Sequence, residues 1–120
     1  MAVSNPEQMN AAFAAAVNDR DLDGLVDLYE PEALLVPQPG ERALGRDEIR
    51  AALSALLALD GRMEARNRYC LQVGDVALLQ GEWRFSSPGA QLTGVSAEIV
   101  RRQPDGSWRY VVDHPFGSDD

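Results

Sequence analysis

The hydrophobic period of the chain changes once, near Asp60-Gly61. Before this point apolar residues recur every three to four positions, which is typical of amphipathic helices. After it apolar and polar residues alternate, which is typical of strands with one buried face. Helices followed by strands with short turns predict an α+β fold, in which the helices pack on one face of an antiparallel sheet.

Three helices and a short strand are predicted in the first half of the chain. The first helix runs to about Asn18, the second begins after Asp21 and ends at Pro31, and the third follows Gly45. The apolar run at residues 33–36 precedes a Pro- and Gly-rich turn, so it predicts a brief strand. The second helix is expected to carry Tyr29 at its end.

Four strands are predicted in the second half, over residues 62–73, 76–85, 91–102 and 107–114. The turns between them are short, so consecutive strands should pair as an antiparallel meander. Three helices laid into a strongly bent sheet leave a cone with an open end. Small ligands tend to bind in cavities of this kind.

The composition fits one globular domain over residues 1–120, with a flexible tail expected at residues 117–120. Apolar residues make up 45% and charged residues 25% of the chain. A single cysteine, Cys70, excludes an intrachain disulfide and a cysteine-built zinc site. There is no glycine-rich phosphate loop and no metal-ligand cluster in the sequence, so we expect neither a cofactor nor a metal.

The charge of the chain excludes some classes of partner. The formal net charge of −8 argues against nucleic acid or an anionic membrane surface as a partner. No stretch approaches the roughly 20 apolar residues of a membrane span, and no charged-then-apolar leader opens the chain. We therefore expect a cytoplasmic protein.

The order of these elements resembles a known superfamily. The segment Leu28-Tyr29 through Pro31-Glu32-Ala33 to Pro39-Gly40 and Gly45, and the closing residues 105–114, are similar to those of NTF2-like proteins. The nearest branch is that of the small bacterial SnoaL-like and ketosteroid-isomerase-like proteins. The resemblance implies a cone of helices in a curved sheet, a small apolar organic ligand and a homodimer formed through the sheet. The resemblance does not specify the function, because this fold hosts isomerases, hydrolases, cyclases, dehydratases and binding domains.

The sequence departs from the steroid-isomerase pattern at the catalytic base. That family places an aspartate just after the short first strand, where this chain has Val36-Pro37-Gln38-Pro39. It also stabilises a dienolate with a tyrosine and a protonated aspartate, for which no residue-by-residue match is found here. Steroid isomerisation by that mechanism is therefore disfavoured.

Residues of the first two of the four strands expected in the second half of the chain could bind the ligand. Asn67 and Tyr69 share the apolar parity of their strand and should point toward the helices, where they could hold a ligand oxygen. The alternative is that Tyr69 only packs its ring and that Asn67 lies at an irregular part of the strand. Trp83 is expected on the inner face of the next strand, as cavity wall or core, and Tyr29 either points into the cone or packs between helices.

Charged residues of the middle strands are expected on the outer face. Glu82 and Arg84 have the parity opposite to Trp83, and Glu98 and Arg102 on the following strand could pair with them. A bulge in the sheet would reverse this assignment.

The last strand offers two candidate proton-transfer residues. Asp113 and His114 have opposite parity, so only one of them faces the cavity if the strand is regular. An aspartate in an apolar pocket has a raised pKa, and a histidine titrates near neutral pH unaided. The sequence therefore favours a cofactor-free isomerase, cyclase, dehydratase or epoxide hydrolase. The alternative is a non-catalytic ligand-binding or dimerisation module.

Overall fold

The computed structural model describes residues 2–117 of the chain. A short 3-10 turn, Pro6–Gln8, precedes the regular elements. In chain order these are α1 (Met9–Asn18), α2 (Leu22–Asp27), β1 (Tyr29–Leu35), β2 (Ala43–Leu44), α3 (Gly45–Ala58), β3 (Arg62–Val73), β4 (Val76–Ser87), β5 (Ala90–Arg102) and β6 (Trp108–His114). The tail expected at residues 117–120 lies outside the described residues apart from Gly117.

The strands form one six-stranded sheet in the order β2-β1-β6-β5-β4-β3. Strands β3 to β6 pair antiparallel with their neighbours in sequence, as the short turns predicted. Strand β1 pairs parallel with β6 and antiparallel with β2, so the sheet is mixed at this end. The α+β prediction, with helices packed in a mainly antiparallel sheet, is confirmed.

The predicted end of the second helix was wrong. Helix α2 ends at Asp27, and Tyr29 is the first residue of β1 rather than part of the helix. Pro31 lies within β1, in the stretch where the register with β6 shifts between Tyr29 and Leu34. A proline costs no ladder hydrogen bond at such an irregular place, so it does not end the strand.

Two irregularities in the sheet decide which side chains face inward. The register of β3 against β4 shifts between Asn67 and Tyr69, and that of β5 against β6 shifts between Ile99 and Val100. At each shift one strand has an extra residue, so alternation reverses beyond it.

The core lies between the helices and the inner face of the sheet. Its largest fully buried side chains come from the three helices and from β1, β4, β5 and β6, and include Met9, Leu25, Tyr29, Ile49, Leu79, Val100 and Tyr110. Helix α2 starts at a predicted cap, where Asp21 Oδ1 accepts a hydrogen bond from the Gly24 N–H at 3.0 Å. Within residues 2–117, no helix is long and apolar enough to cross a membrane.

Candidate active site

The helices and the inner face of the sheet enclose a cavity of about 490 Å³. Apolar side chains make up most of its wall, among them Phe13 from α1, Leu53 and Leu56 from α3, and Met63 and Phe85 from the sheet. Volumes of this order are typical of pockets that hold small organic ligands. The wall is thus suited to an apolar molecule of modest size.

Five polar residues of the lining lie together, and we call them the polar cluster. They are Asn10, Ser96, Glu98, Tyr110 and Asp113. All five are buried, with at most 7% of each residue exposed. No arginine or histidine is among the described residues that line the cavity. The cluster therefore holds two carboxyl groups without a cationic side chain in the same wall.

The irregularity of β6 brings Tyr110 and Asp113 to the same face. Val100 pairs with Tyr110 and Ile99 with Val112, so Val111 is the extra residue of a bulge. Alternation in a regular strand would have sent Tyr110 and Asp113 to opposite faces. With the bulge, Asp113 lines the cavity, whereas His114 does not belong to the lining.

Asp113 is held by a short hydrogen bond within the buried polar cluster. Tyr29 Oη donates to Asp113 Oδ2 at 2.5 Å, and both side chains are buried. Burial raises the pKa of Asp113 to about 6, although the bond from Tyr29 and the neighbouring His114 act in the opposite direction. At neutral pH the Asp113 carboxyl is therefore mostly ionised and able to accept a proton.

Glu98 lies directly opposite Asp113 in the ladder between β5 and β6. Burial and, after it, the charge of Asp113 raise the pKa of Glu98 to about 8, against the hydrogen bonds from Ser96 and Asn10. The bond from Asn10 Nδ2 to Glu98 Oε1 is 3.2 Å long. The two carboxyls titrate as a pair, in which Glu98 keeps its proton to higher pH than Asp113.

Two tyrosines pack against the carboxyl pair. The rings of Tyr29 and Tyr110 lie 5.0 Å apart between centroids. Burial first, and then the nearby carboxyl Asp113, raise the pKa of both phenols well above the usual range. Both hydroxyls therefore remain protonated and serve as hydrogen-bond donors, Tyr29 to Asp113 and Tyr110 to Asn10 Oδ1 at 2.7 Å.

The structure separates the two residues predicted on β3. Asn67 points toward the helices and donates to the Glu7 carbonyl at 2.7 Å, but it does not line the cavity. Tyr69 was predicted to point inward, and this was wrong: it is 38% exposed and pairs with Gln80 on the outer face. The bulge after Asn67 is the reason, because it reverses the alternation of β3.

The expectations for β4 and β5 are met only in part. Trp83 lines the cavity and donates from Nε1 to the Pro115 carbonyl at 2.6 Å. Glu82 is paired with Arg66 and Arg68 of β3 rather than with β5, and it is also among the residues that line the cavity. The predicted outward orientation of Glu98 was wrong.

The register between β4 and β5 explains the position of Glu98. Glu98 lies opposite Leu79, which is fully buried, and residues opposite each other in an antiparallel ladder share a face. The short turn after Ser87 pairs that residue with Ala90, and counting outward from it leads to this register. The sequence thus contains a signal for the inward orientation of Glu98 in the length of this turn. Asn10, on α1, had no comparable signal.

Tyr29 lies beneath the cavity rather than in its wall. It is fully buried, and its hydroxyl reaches Asp113, but it is not part of the lining. Within residues 2–117, no group of three or more His, Cys, Asp and Glu side chains is placed to hold a metal ion. The chemistry that the described residues themselves provide is that of an acid and a base side by side.

Solved structures with the same fold come from several bacteria. An NTF-2 like protein of unknown function from Shewanella oneidensis MR-1 has a TM-score of 0.78 and 23% identity, covering 89% of this chain and 92% of that one. A ketosteroid isomerase-like protein from Erwinia carotovora atroseptica SCRI1043 has a TM-score of 0.69 and 21% identity, covering 89% and 88%. A protein of unknown function with a cystatin-like fold from Nostoc punctiforme PCC 73102 has a TM-score of 0.73 and 17% identity, covering 88% and 83%.

The sequence comparison assigns the family. No curated protein matches the chain. The sequence model of the SnoaL-like domain matches residues 10–111, which include the polar cluster except for Asp113. Its structural neighbours share the NTF2-like fold, and with the match of the family model over most of its length the chain belongs to the SnoaL-like domain family.

Proposed function

We propose that the protein binds a small, mainly apolar organic molecule in its cavity and transfers a proton on it, with Asp113 as base and Glu98 as acid. One observation carries the proposal: two buried carboxyls lie opposite each other in a mainly apolar cavity, and their pKa values are raised to about 6 and about 8. Carboxyl pairs whose environments separate their pKa values are how proteins divide acid and base roles.

The chemistry follows from the protonation states near neutral pH. Asp113, as carboxylate, takes a proton from a carbon or oxygen of the ligand, and the electron pair left behind moves into the ligand. Glu98, as the neutral acid, gives its proton to the ligand oxygen on which charge develops. One proton leaves the ligand and one enters it. This is the balance of an isomerisation or a cyclisation, and in a dehydration the oxygen protonated by Glu98 leaves as water. Exchange with water then removes the proton from Asp113 and returns one to Glu98, which restores the pair.

The rest of the cavity supports this division of roles. The loop after β1 brings Pro37, Gln38 and Pro39 to the lining, so it offers no carboxylate as an alternative base. His114 is outside the lining, and the proposal assigns it no part in the reaction. The similarity to a ketosteroid isomerase-like protein agrees with proton-transfer chemistry in this fold.

Hydrogen exchange on carbon tests the proposal before the natural substrate is identified. The protein is incubated in D₂O with a panel of small apolar carbonyl compounds, and loss of α-proton signals is followed by NMR. We expect exchange of at least one compound above the buffer rate, and a loss of about 10²-fold or more in Asp113→Asn. Asp75→Asn, which removes a carboxyl that pairs with Arg102 and lies outside the cavity lining, is the matched control and should exchange like the wild type.

The results that count against the proposal are specific. Binding of compounds without exchange would favour the alternative, a non-catalytic ligand-binding module. Exchange that persists in Asp113→Asn would remove Asp113 as the base.

A second feature supports a homodimer, as the family resemblance implies. Leu71, Leu78 and Ile99 lie opposite one another across β3, β4 and β5 on the outer face, and 58%, 41% and 38% of these residues are exposed. An exposed apolar row of this kind marks an interaction surface. A second copy offers the same row across a twofold axis, so we propose that two copies pair through this face.

A further inference from the structure

A chain of side-chain amides connects the backbone at Glu7 to the carboxyl pair. Asn67 Nδ2 donates to the Glu7 carbonyl at 2.7 Å, and Asn67 Oδ1 accepts from Asn10 Nδ2 at 3.2 Å. Asn10 Nδ2 also donates to Glu98 Oε1 at 3.2 Å, and Asn10 Oδ1 accepts from Tyr110 Oη at 2.7 Å. This series of hydrogen bonds runs from the 3-10 turn to β3, then to α1, and ends on β5 and β6.

The Glu7 carbonyl sets which group donates and which accepts in every hydrogen bond of this series. A backbone carbonyl can only accept, so Asn67 must turn its NH₂ group toward Glu7 and its oxygen toward Asn10. Asn10 must then present its NH₂ group to Asn67 and to Glu98, and its oxygen to Tyr110. Tyr110 in turn must donate, because an amide oxygen faces it.

We infer that Asn67 is a positioning residue, which fixes the amide of Asn10 so that Glu98 is the only proton donor that the polar cluster offers to a ligand. The inference rests on the proposed function for its meaning in catalysis. It assigns Asn67 a role different from the direct ligand contact predicted from the sequence, because Asn67 acts from outside the cavity lining.

The hydrogen-bond donors of the polar cluster support the conclusion that only Glu98 offers a proton to a ligand. Asn10 uses its two N–H groups on Asn67 and Glu98, and Tyr110 uses its O–H on Asn10. Ser96 Oγ accepts from the Gly81 N–H at 3.1 Å, and its one O–H is shared between the Gly81 carbonyl at 3.4 Å and Glu98. Among these described residues, only the carboxyl proton of Glu98 remains for a ligand oxygen.

Turning the Asn10 amide over would reverse this arrangement. Its oxygen would face Glu98 and accept the acid proton, and its NH₂ group would face Tyr110 and release the phenol O–H. The other titratable groups around Glu98 are Asp113 and Tyr110 on β6 and Tyr29 on β1, while α1 contributes only the neutral Asn10. None of these side chains is altered by a change at Asn67.

The test is the titration of Glu98, followed through its side-chain carboxyl carbon by NMR in the ligand-free protein. In Asn67→Leu we expect the Glu98 midpoint to rise by about one pH unit, because a donated hydrogen bond that favours the charged form is lost. Asn67→Ser, which is too short to reach both partners, should shift the midpoint in the same direction. In the wild type, the Asn10 NH₂ protons should move with the Glu98 titration.

Asn18→Leu is the matched control. Asn18 also joins α1 to β3, through paired bonds to the backbone of Met63 at 2.7 and 2.9 Å, but it has no contact with the cluster. Its loss should lower stability without moving the Glu98 midpoint. A Glu98 midpoint that is unchanged or lower in the folded Asn67 variants, or Asn10 protons that ignore the titration, would overturn the inference.

The outcome is separable from that of the proposed function, since the titration needs no substrate. If the Glu98 midpoint shifts as expected but no compound exchanges, the positioning role stands and the proposed proton transfer falls. If exchange is found and the midpoint does not shift, the reverse holds.

Discussion

Tyr29, at the start of β1, donates a 2.5 Å hydrogen bond to Oδ2 of Asp113, near the end of β6. The two strands are parallel neighbours in the sheet, so the bond joins their side chains below the cavity. It stabilises the ionised form of Asp113 and opposes the effect of burial on the pKa of that carboxyl. The base of the proposed reaction is thus adjusted by a residue that does not reach the cavity.

Removing this bond should raise the pKa of Asp113 above its value of about 6. In Tyr29→Phe the carboxylate loses its donor but keeps its burial, so we expect an upward shift of about one pH unit. The midpoint is measured by NMR of the Asp113 carboxyl carbon. Tyr69→Phe removes a hydroxyl from the outer face and should leave the midpoint in place. A midpoint that falls or stays constant in Tyr29→Phe would show that the bond does not favour the ionised form.

The raised pKa of Asp113 predicts a specific pH dependence of stability. Below the ordinary value of 3.8 the carboxyl is protonated in the folded and the unfolded chain and costs nothing. Between 3.8 and about 6 the unfolded chain ionises while the folded chain keeps its proton, so the stability of the folded state falls as pH rises. Above about 6 the penalty is constant.

The free energy of unfolding of Asp113→Asn should therefore increase relative to that of the wild type as pH rises from 4 to 6, by up to about 3 kcal/mol. The difference should remain at pH 7. Urea denaturation at several pH values measures the difference. Asp105→Asn is the control, since hydrogen bonds from Ser107 lower the pKa of that exposed carboxyl and the sign is opposite. A difference between Asp113→Asn and wild type that is independent of pH would show that the folded pKa is not raised.

The carboxyl pair also predicts an effect of one member on the other. The charge of Asp113 contributes to the raised pKa of Glu98, so the midpoint of Glu98 should fall in Asp113→Asn while staying above its ordinary value of 4.5 because of burial. The midpoint is followed by carboxyl-carbon NMR. An unchanged Glu98 midpoint would mean that the two groups titrate independently.

The fold could be predicted from the sequence because the patterns that define its helices and strands are local. The change of period at Asp60-Gly61 and the turns at Gly74 and Pro88-Gly89 define the strands β3 to β5 to within two residues. Pro31 misled the prediction, because a proline usually stops a regular element, and its place in β1 is acceptable only because the pairing with β6 is irregular between Tyr29 and Leu34.

The site was harder to predict from the sequence than the fold, because the orientation of its residues depends on two bulges. Strict alternation assigned Tyr69 to the cavity and left Asp113 and His114 undecided, and each bulge reverses that alternation partway along a strand. The direct ligand contacts predicted for Tyr69 and Asn67 have no support from the lining, whereas Asp113 and Trp83 do line the cavity. Whether any of these residues acts on a ligand stays a prediction.

Pairing through the outer face predicts that a charge in its apolar row separates the two copies. Leu78 lies between Leu71 and Ile99 in the row, so Leu78→Arg would place two arginines against the apolar side chains of the partner copies. We expect light scattering to give the mass of a dimer for the wild type and of a monomer for Leu78→Arg.

Leu44→Arg changes a leucine that is 62% exposed on β2, at the opposite edge of the sheet, and should remain dimeric. A monomeric wild type at micromolar concentration would contradict the proposed dimer. So would a dimer that survives Leu78→Arg, since a second copy could then not be seated on that row. Because the carboxyl pair faces inward, the Glu98 and Asp113 titrations should be the same in Leu78→Arg as in the wild type, which separates assembly from the chemistry of the cavity.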